Sequence, residues 1–146
     1  TEVARFILST LAEDAMTKET KVDLWRRKNN RFDWTIEHIL PQGENLPLAW
    51  QEMLGGQEAA AQVQGEHRHR LGNLTITAYN STLGNKSFVE KRDRQDSEGR
   101  YIGYRNGLSL NAELALKQSW TASDIDERTK ALAAKVIERF PLVSPT

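Results

Sequence analysis

Only two stretches of this chain alternate like β-strands, Phe32–Ile39 and Leu71–Thr77, and a long connection separates them. In the first, Trp34, Ile36 and His38 fall on one face and Thr35, Glu37 and Ile39 on the other, until Pro41 stops the strand. In the second, Leu74 and Ile76 oppose Thr75 and Thr77. Two strands can make one hairpin, which is marginal in water by itself. Helices must therefore close the core, and the remaining pattern supplies them. Residues 3–16 carry a stripe of Val3, Phe6, Ile7 and Leu11, and residues 20–28 read as a weaker helix. Short helices are predicted over 48–54, ended by Gly55-Gly56, over 57–64, and over 80–92, loosely started near Gly84-Asn85. A long last helix is capped by Ser123, faces the core with Ile125, Leu132, Val136, Ile137 and Phe140, and ends at Pro141. The expected fold class is α+β, mainly α.

A length of 146 residues suits one domain, 1–146. No apolar run approaches the ~20 residues of a membrane helix, so no membrane role is expected. The chain has no cysteine, which removes disulfides, thiolate metal sites and cysteine nucleophiles. A cytoplasmic location is expected, since no secretory signal opens the chain. The first residue is Thr1, so the chain is expected to be a fragment of a larger protein. No Walker-type phosphate loop is present, and nucleotide hydrolysis by this chain is not expected.

Twenty basic residues balance twenty acidic ones, so any nucleic-acid surface must come from local segregation. Such segregation exists. Lys18, Lys21, Arg26, Arg27, Lys28 and Arg31 face only two acids in residues 18–31, whereas 32–65 hold five acids and no Lys or Arg. Residues 66–105 are again net basic. A solvated face is the default for such runs. Trp34 and Tyr79 are read as core aromatics rather than base-stacking groups.

Of three histidines, His38 holds the most chemically useful place, a strand end followed by Ile39-Leu40-Pro41-Gln42. There a strand holds the ring while a loop leaves it reachable, and an ordinary imidazole accepts a proton near neutral pH. Glu37-His38 is followed in order by Asn73-Leu74 and by Asn80. This order resembles the HNH-type, or ββα-metal, nuclease motif. The wording of Trp34-Thr35-Ile36-Glu37-His38-Ile39-Leu40-Pro41-Gln42, His69-Arg70-Leu71-Gly72-Asn73-Leu74-Thr75 and Asn80-Ser81-Thr82-Leu83-Gly84-Asn85-Lys86-Ser87-Phe88 is closer to one subgroup. It is similar to the C-terminal nuclease domain of GmrSD-type type IV restriction systems and of related phage-defence proteins. The likeness runs from about residue 4 to 140, including Leu108-Ser109-Leu110-Asn111 and Trp120.

The resemblance implies a ββα-metal core over about 32–92, flanked by helices in 1–31 and 106–140. It implies that His38 is the general base, that Asn80 offers its amide oxygen to a divalent metal, and that Asn73 braces the loop behind His38. Glu37 would supply a carboxylate, directly to the metal or through a bound water. Alternation puts Glu37 and His38 on opposite faces, which leaves those two options open. Oxygen ligands suit Mg²⁺, or Mn²⁺. Lys91, Lys86, His69 and Arg70 are the candidates for flanking DNA phosphates. The implied substrate is double-stranded DNA, modified or of phage origin, cut as the effector step of bacterial defence. Recognition would fall to a nucleotide-linked N-terminal domain. The rival expectations are an inactive DNA-binding or regulatory module of the same fold, and an RNA-directed nuclease.

Overall fold

The computed structural model describes residues 2–143. The two expected strands pair. β3 (Thr35–His38) runs antiparallel to β4 (Leu74–Thr77), with Ile36 opposite Ile76, Glu37 opposite Thr75 and His38 opposite Leu74. The first is shorter than the alternation suggested, because Arg27–Lys28 (β1) and Arg31–Phe32 (β2) form a hairpin of their own. The expected helix over 20–28 is therefore absent. Asn29 and Asn30 both take positive φ, 52° and 62°, the conformation a two-residue hairpin turn requires and one that asparagine tolerates.

The first helix, α1 (Glu2–Asp14), forms as expected, but its buried side is Leu8, Ser9 and Ala12. Val3 and Phe6 of the predicted stripe are largely exposed, and Phe6 meets the Phe140 ring at 5.9 Å instead. After α2 (Leu48–Met53) and α3 (Gln57–His67), a 3-10 turn at Leu71–Asn73 leads into β4. The single helix expected over 80–92 is two, α4 (Asn80–Leu83) and α5 (Phe88–Asp93). Gly84 at φ 45° breaks the first, and the Ser87 hydroxyl caps the second by accepting from the Glu90 amide at 3.2 Å. A short α6 (Ala112–Ala115) precedes α7 (Ala122–Arg139). Its cap is Thr121, not Ser123, because Asp124 completes a capping box three residues on.

Two hydrophobic clusters sandwich the ribbon. Leu8, Ala12, Leu74, Ile76, Leu108 and Leu132 pack on one side, and Ile39, Leu40, Trp50, Phe88, Trp120 and Ile125 on the other. α7 fastens the 3-10 turn. Buried Arg128 donates to the carbonyls of Gly72, Leu74 and Leu110 at 2.6–3.0 Å and pairs with Glu113 at 2.7 Å. Gly72 is required for that approach, since a Cβ there would lie 2.1 Å from the Ile125 carbonyl oxygen.

Candidate active site

The ββα order brings His38 and Asn80 to one cleft of about 580 Å³, whose walls include Ile36, Pro41, Gln42, His69 and Asn85. His38 stands at the end of β3, half-buried. Its Nε2 lies 3.2 Å from His69 Nδ1, with the rings edge-on at 80°. Burial, then the neighbouring charges of His69, Lys91 and Arg68, push the His38 ring down to about 4, so it is neutral at physiological pH.

Asn80 opens α4 immediately beyond β4. Its Nδ2 donates to the Ile36 carbonyl at 2.7 Å and to Thr35 Oγ1 at 3.2 Å. Those partners fix the amide orientation, because a carbonyl can only accept. The remaining polar atom, Oδ1, is an acceptor with two lone pairs.

Asn73 is fully buried and makes four hydrogen bonds. Oδ1 accepts from the Leu40 amide at 2.8 Å and from Trp120 Nε1 at 3.0 Å, while Nδ2 donates to the carbonyls of Leu40 and Arg68 at 3.0 and 2.9 Å. One side chain thus ties the chain just after His38 to the segment just before His69 and to the loop ahead of α7.

Glu37 lies on the other face of β3 with 2% exposure. Its Oε1 accepts from Lys91 Nζ at 2.6 Å and from the Tyr104 hydroxyl at 3.3 Å. Burial pushes the carboxyl up, opposed by Lys91, and pushes the Lys91 ammonium down, opposed by Glu37. Lys91 also donates to the carbonyls of His38 and Ile39, at 2.8 and 3.1 Å, so its three donors are all used. The structure therefore corrects the expectation that Lys91 contacts DNA: it is 0% exposed and clamps the backbone of His38 from behind. It also places Glu37 as the counter-ion of that clamp, facing away from the side of the ribbon that carries His38.

The other basic candidates separate. His69 belongs to the cleft. Arg70 is exposed and pairs with Asp126 of α7 at 2.7 Å. Lys86 is partly exposed on the loop between α4 and α5, outside the cleft lining. Two neighbours of these candidates escaped the sequence reading. Thr35 helps orient Asn80, and Arg68 contributes to the field that keeps His38 neutral. Alternation gave a hint of Thr35, since it begins the strand that Asn80 meets; nothing local marked Arg68. Tyr79, expected in the core, is 43% exposed.

Among the described residues, no three His, Asp or Glu side chains gather into a cage for a metal ion. Among the same described residues, no helix is long and apolar enough to cross a membrane. Compared with known families, residues 1–135 match the model for the C-terminal domain of GmrSD restriction endonucleases. No curated protein and no solved structure gives a significant match.

Proposed function

We propose, from the premise that the chain belongs to the family of GmrSD restriction endonuclease C-terminal domains, that it is a metal-dependent nuclease that hydrolyses DNA phosphodiester bonds with His38 as general base. The observation that carries this reading is the pairing, in one cleft, of a neutral imidazole with an amide whose nitrogen is spent on the protein and whose oxygen is left. Asn80 Oδ1 fits a hard divalent cation such as Mg²⁺ or Mn²⁺, which tolerates few protein ligands when substrate phosphate and water complete its shell. When bound, that cation would supply charge stabilisation to the transition state and the departing oxygen.

The chain's own part is proton handling and aim. A bond between two imidazoles needs one N–H and one lone pair. The tautomer in which His38 donates from Nε2 to His69 Nδ1 leaves His38 Nδ1 as the free base. Water then loses a proton to Nδ1 as its oxygen bonds to phosphorus, and the P–O3′ bond breaks with the electron pair leaving on the 3′ oxygen. General-base catalysis of this kind contributes ~10²–10⁴-fold. Lys91, with Glu37 as its counter-ion, and Asn73 act through the backbone of residues 38–40, just after the His38 ring, and do not touch the substrate. Selection of modified or phage DNA belongs to an N-terminal domain of the larger protein, and this domain is the effector in defence.

Nicking of supercoiled plasmid tests the reading. The wild type should nick with Mg²⁺ or Mn²⁺ and not with EDTA, and His38→Ala and Asn80→Ala should each lose ~10²-fold or more. Full nicking by purified His38→Ala would overturn it.

A further inference from the structure

The β1–β2 hairpin has no place in the cleft just described, yet it concentrates charge. Pairing sets Arg27 opposite Phe32 and Lys28 opposite Arg31. Arg27 is exposed but lies over the Phe32 ring, its guanidinium 4.3 Å from the ring centre, which Arg5 approaches at 3.7 Å. By alternation the outer face carries Arg26, Lys28, Arg31 and Asp33. Arg26 pairs with Asp33 at 2.5 Å, and no ion pair joins Lys28 or Arg31 to an acid among the described residues. Like charges directly opposite across a ribbon are destabilising, and an anion between them relieves the cost.

Beside this face opens a second cleft of about 620 Å³, lined by Lys28, Trp34, Tyr79, the Arg26–Asp33 pair and Asp23, whose carboxylate accepts from the Trp25 amide at 2.9 Å. It shares no lining residue with the first, but the two are joined through chain neighbours. Tyr79 precedes Asn80, and Trp34 precedes Thr35, whose hydroxyl accepts from Asn80. The sequence of groups along the ribbon is His38, Ile36, Asn80, then Trp34 and Tyr79, then the basic hairpin. A partly bared aromatic ring beside unpaired cations is the combination that holds an unpaired nucleic-acid strand, with bases stacked on the ring and phosphates on the cations. A closed duplex presents phosphates but no base face to stack.

We propose that this second cleft is a nucleic-acid subsite that takes a single-stranded or locally opened segment next to the cut, with a base on Tyr79 and phosphates on Lys28, which lines the cleft, and on Arg31, its cross-strand partner at the rim. The subsite deepens the nuclease reading and rests on it for its role, but its binding is measurable without cleavage. The test is fluorescence anisotropy of a labelled oligothymidylate 12-mer in EDTA over a range of salt, alongside plasmid nicking by the wild type. Lys28→Gln/Arg31→Gln should weaken binding and lower the salt slope by about 1.4, the value for two phosphate contacts on a single strand. Tyr79→Ala should weaken binding by about 5- to 150-fold, and Tyr79→Phe, which keeps the ring, should restore it. An unchanged affinity and slope in the double variant, with a wild type that binds, overturns the subsite whether or not the protein nicks. Loss of binding in these variants with no nicking by the wild type supports the subsite and sinks the nuclease reading. A wild type that binds no oligonucleotide overturns the subsite outright.

Discussion

At the scale of single residues, burial decides what a charge does. Lys91 has no solvent-exposed surface, so its ammonium cannot meet a phosphate; it satisfies Glu37 and two carbonyls next to the base. Lys91→Met should leave the Glu37 carboxylate buried without its counter-ion and cost about 3–5 kcal/mol. The double variant Lys91→Met/Glu37→Gln should recover much of that loss. Urea unfolding of the three proteins checks it, and a single variant as stable as the wild type would contradict the clamp. His38 gives the second expectation. Its ring is held near 4, against about 6.5 in an unfolded chain. Below 6.5 the unfolded chain binds the extra proton first, so His38's contribution to stability is complete above pH 6.5 and declines as pH falls toward 4. Nitrogen NMR shifts of the imidazole should show a neutral Nε2–H tautomer at pH 6 and a midpoint well under 6. A midpoint near 6.5 would mean that the ring is not desolvated.

At the scale of elements, the sequence was legible where the pattern was local and repetitive. The alternation around Ile36 and around Ile76 located both strands of the central ribbon, and the acid-His and Asn-Leu pairs fall at one end of it, where His38 stands opposite Leu74. It was illegible where a few backbone angles override propensity. Asn29-Asn30 turns what looked like a helix into the basic hairpin, and Gly84 divides the helix after Asn80. That division matters, because α5 is a separate element capped by Ser87, free to lay Lys91 under the ribbon rather than along the continuation of α4. For Glu37 the alternation was the better guide: opposite faces of β3 were predicted and are observed, and only the identity of its partner required three dimensions.

At the scale of the whole molecule, the residues after the motif are as much a part of the site as the motif. Trp120 donates to Asn73, stacks on Phe88 at 5.8 Å, and is fully buried. Arg128 closes three carbonyls around the 3-10 turn that precedes β4. Ile125 and Leu132 complete the two clusters that sandwich the ribbon. Burying Trp120, Ile125 and Leu132 contributes about 1.5–3 kcal/mol for each aliphatic side chain, and truncating a core tryptophan costs about 3–5 kcal/mol. The carbonyls that Arg128 serves would add their own penalty if left unmet. Together these losses rival the entire 5–15 kcal/mol that holds a typical domain. Ending the chain before Trp120 should therefore abolish folding, even though the Glu37-His38, Asn73 and Asn80 blocks all remain. The expected result is a far-UV circular dichroism spectrum without cooperative thermal unfolding, and no nicking. A truncated chain that melts cooperatively and nicks plasmid would show instead that the ribbon and its two short helices stand alone, and that α7 serves something other than the site.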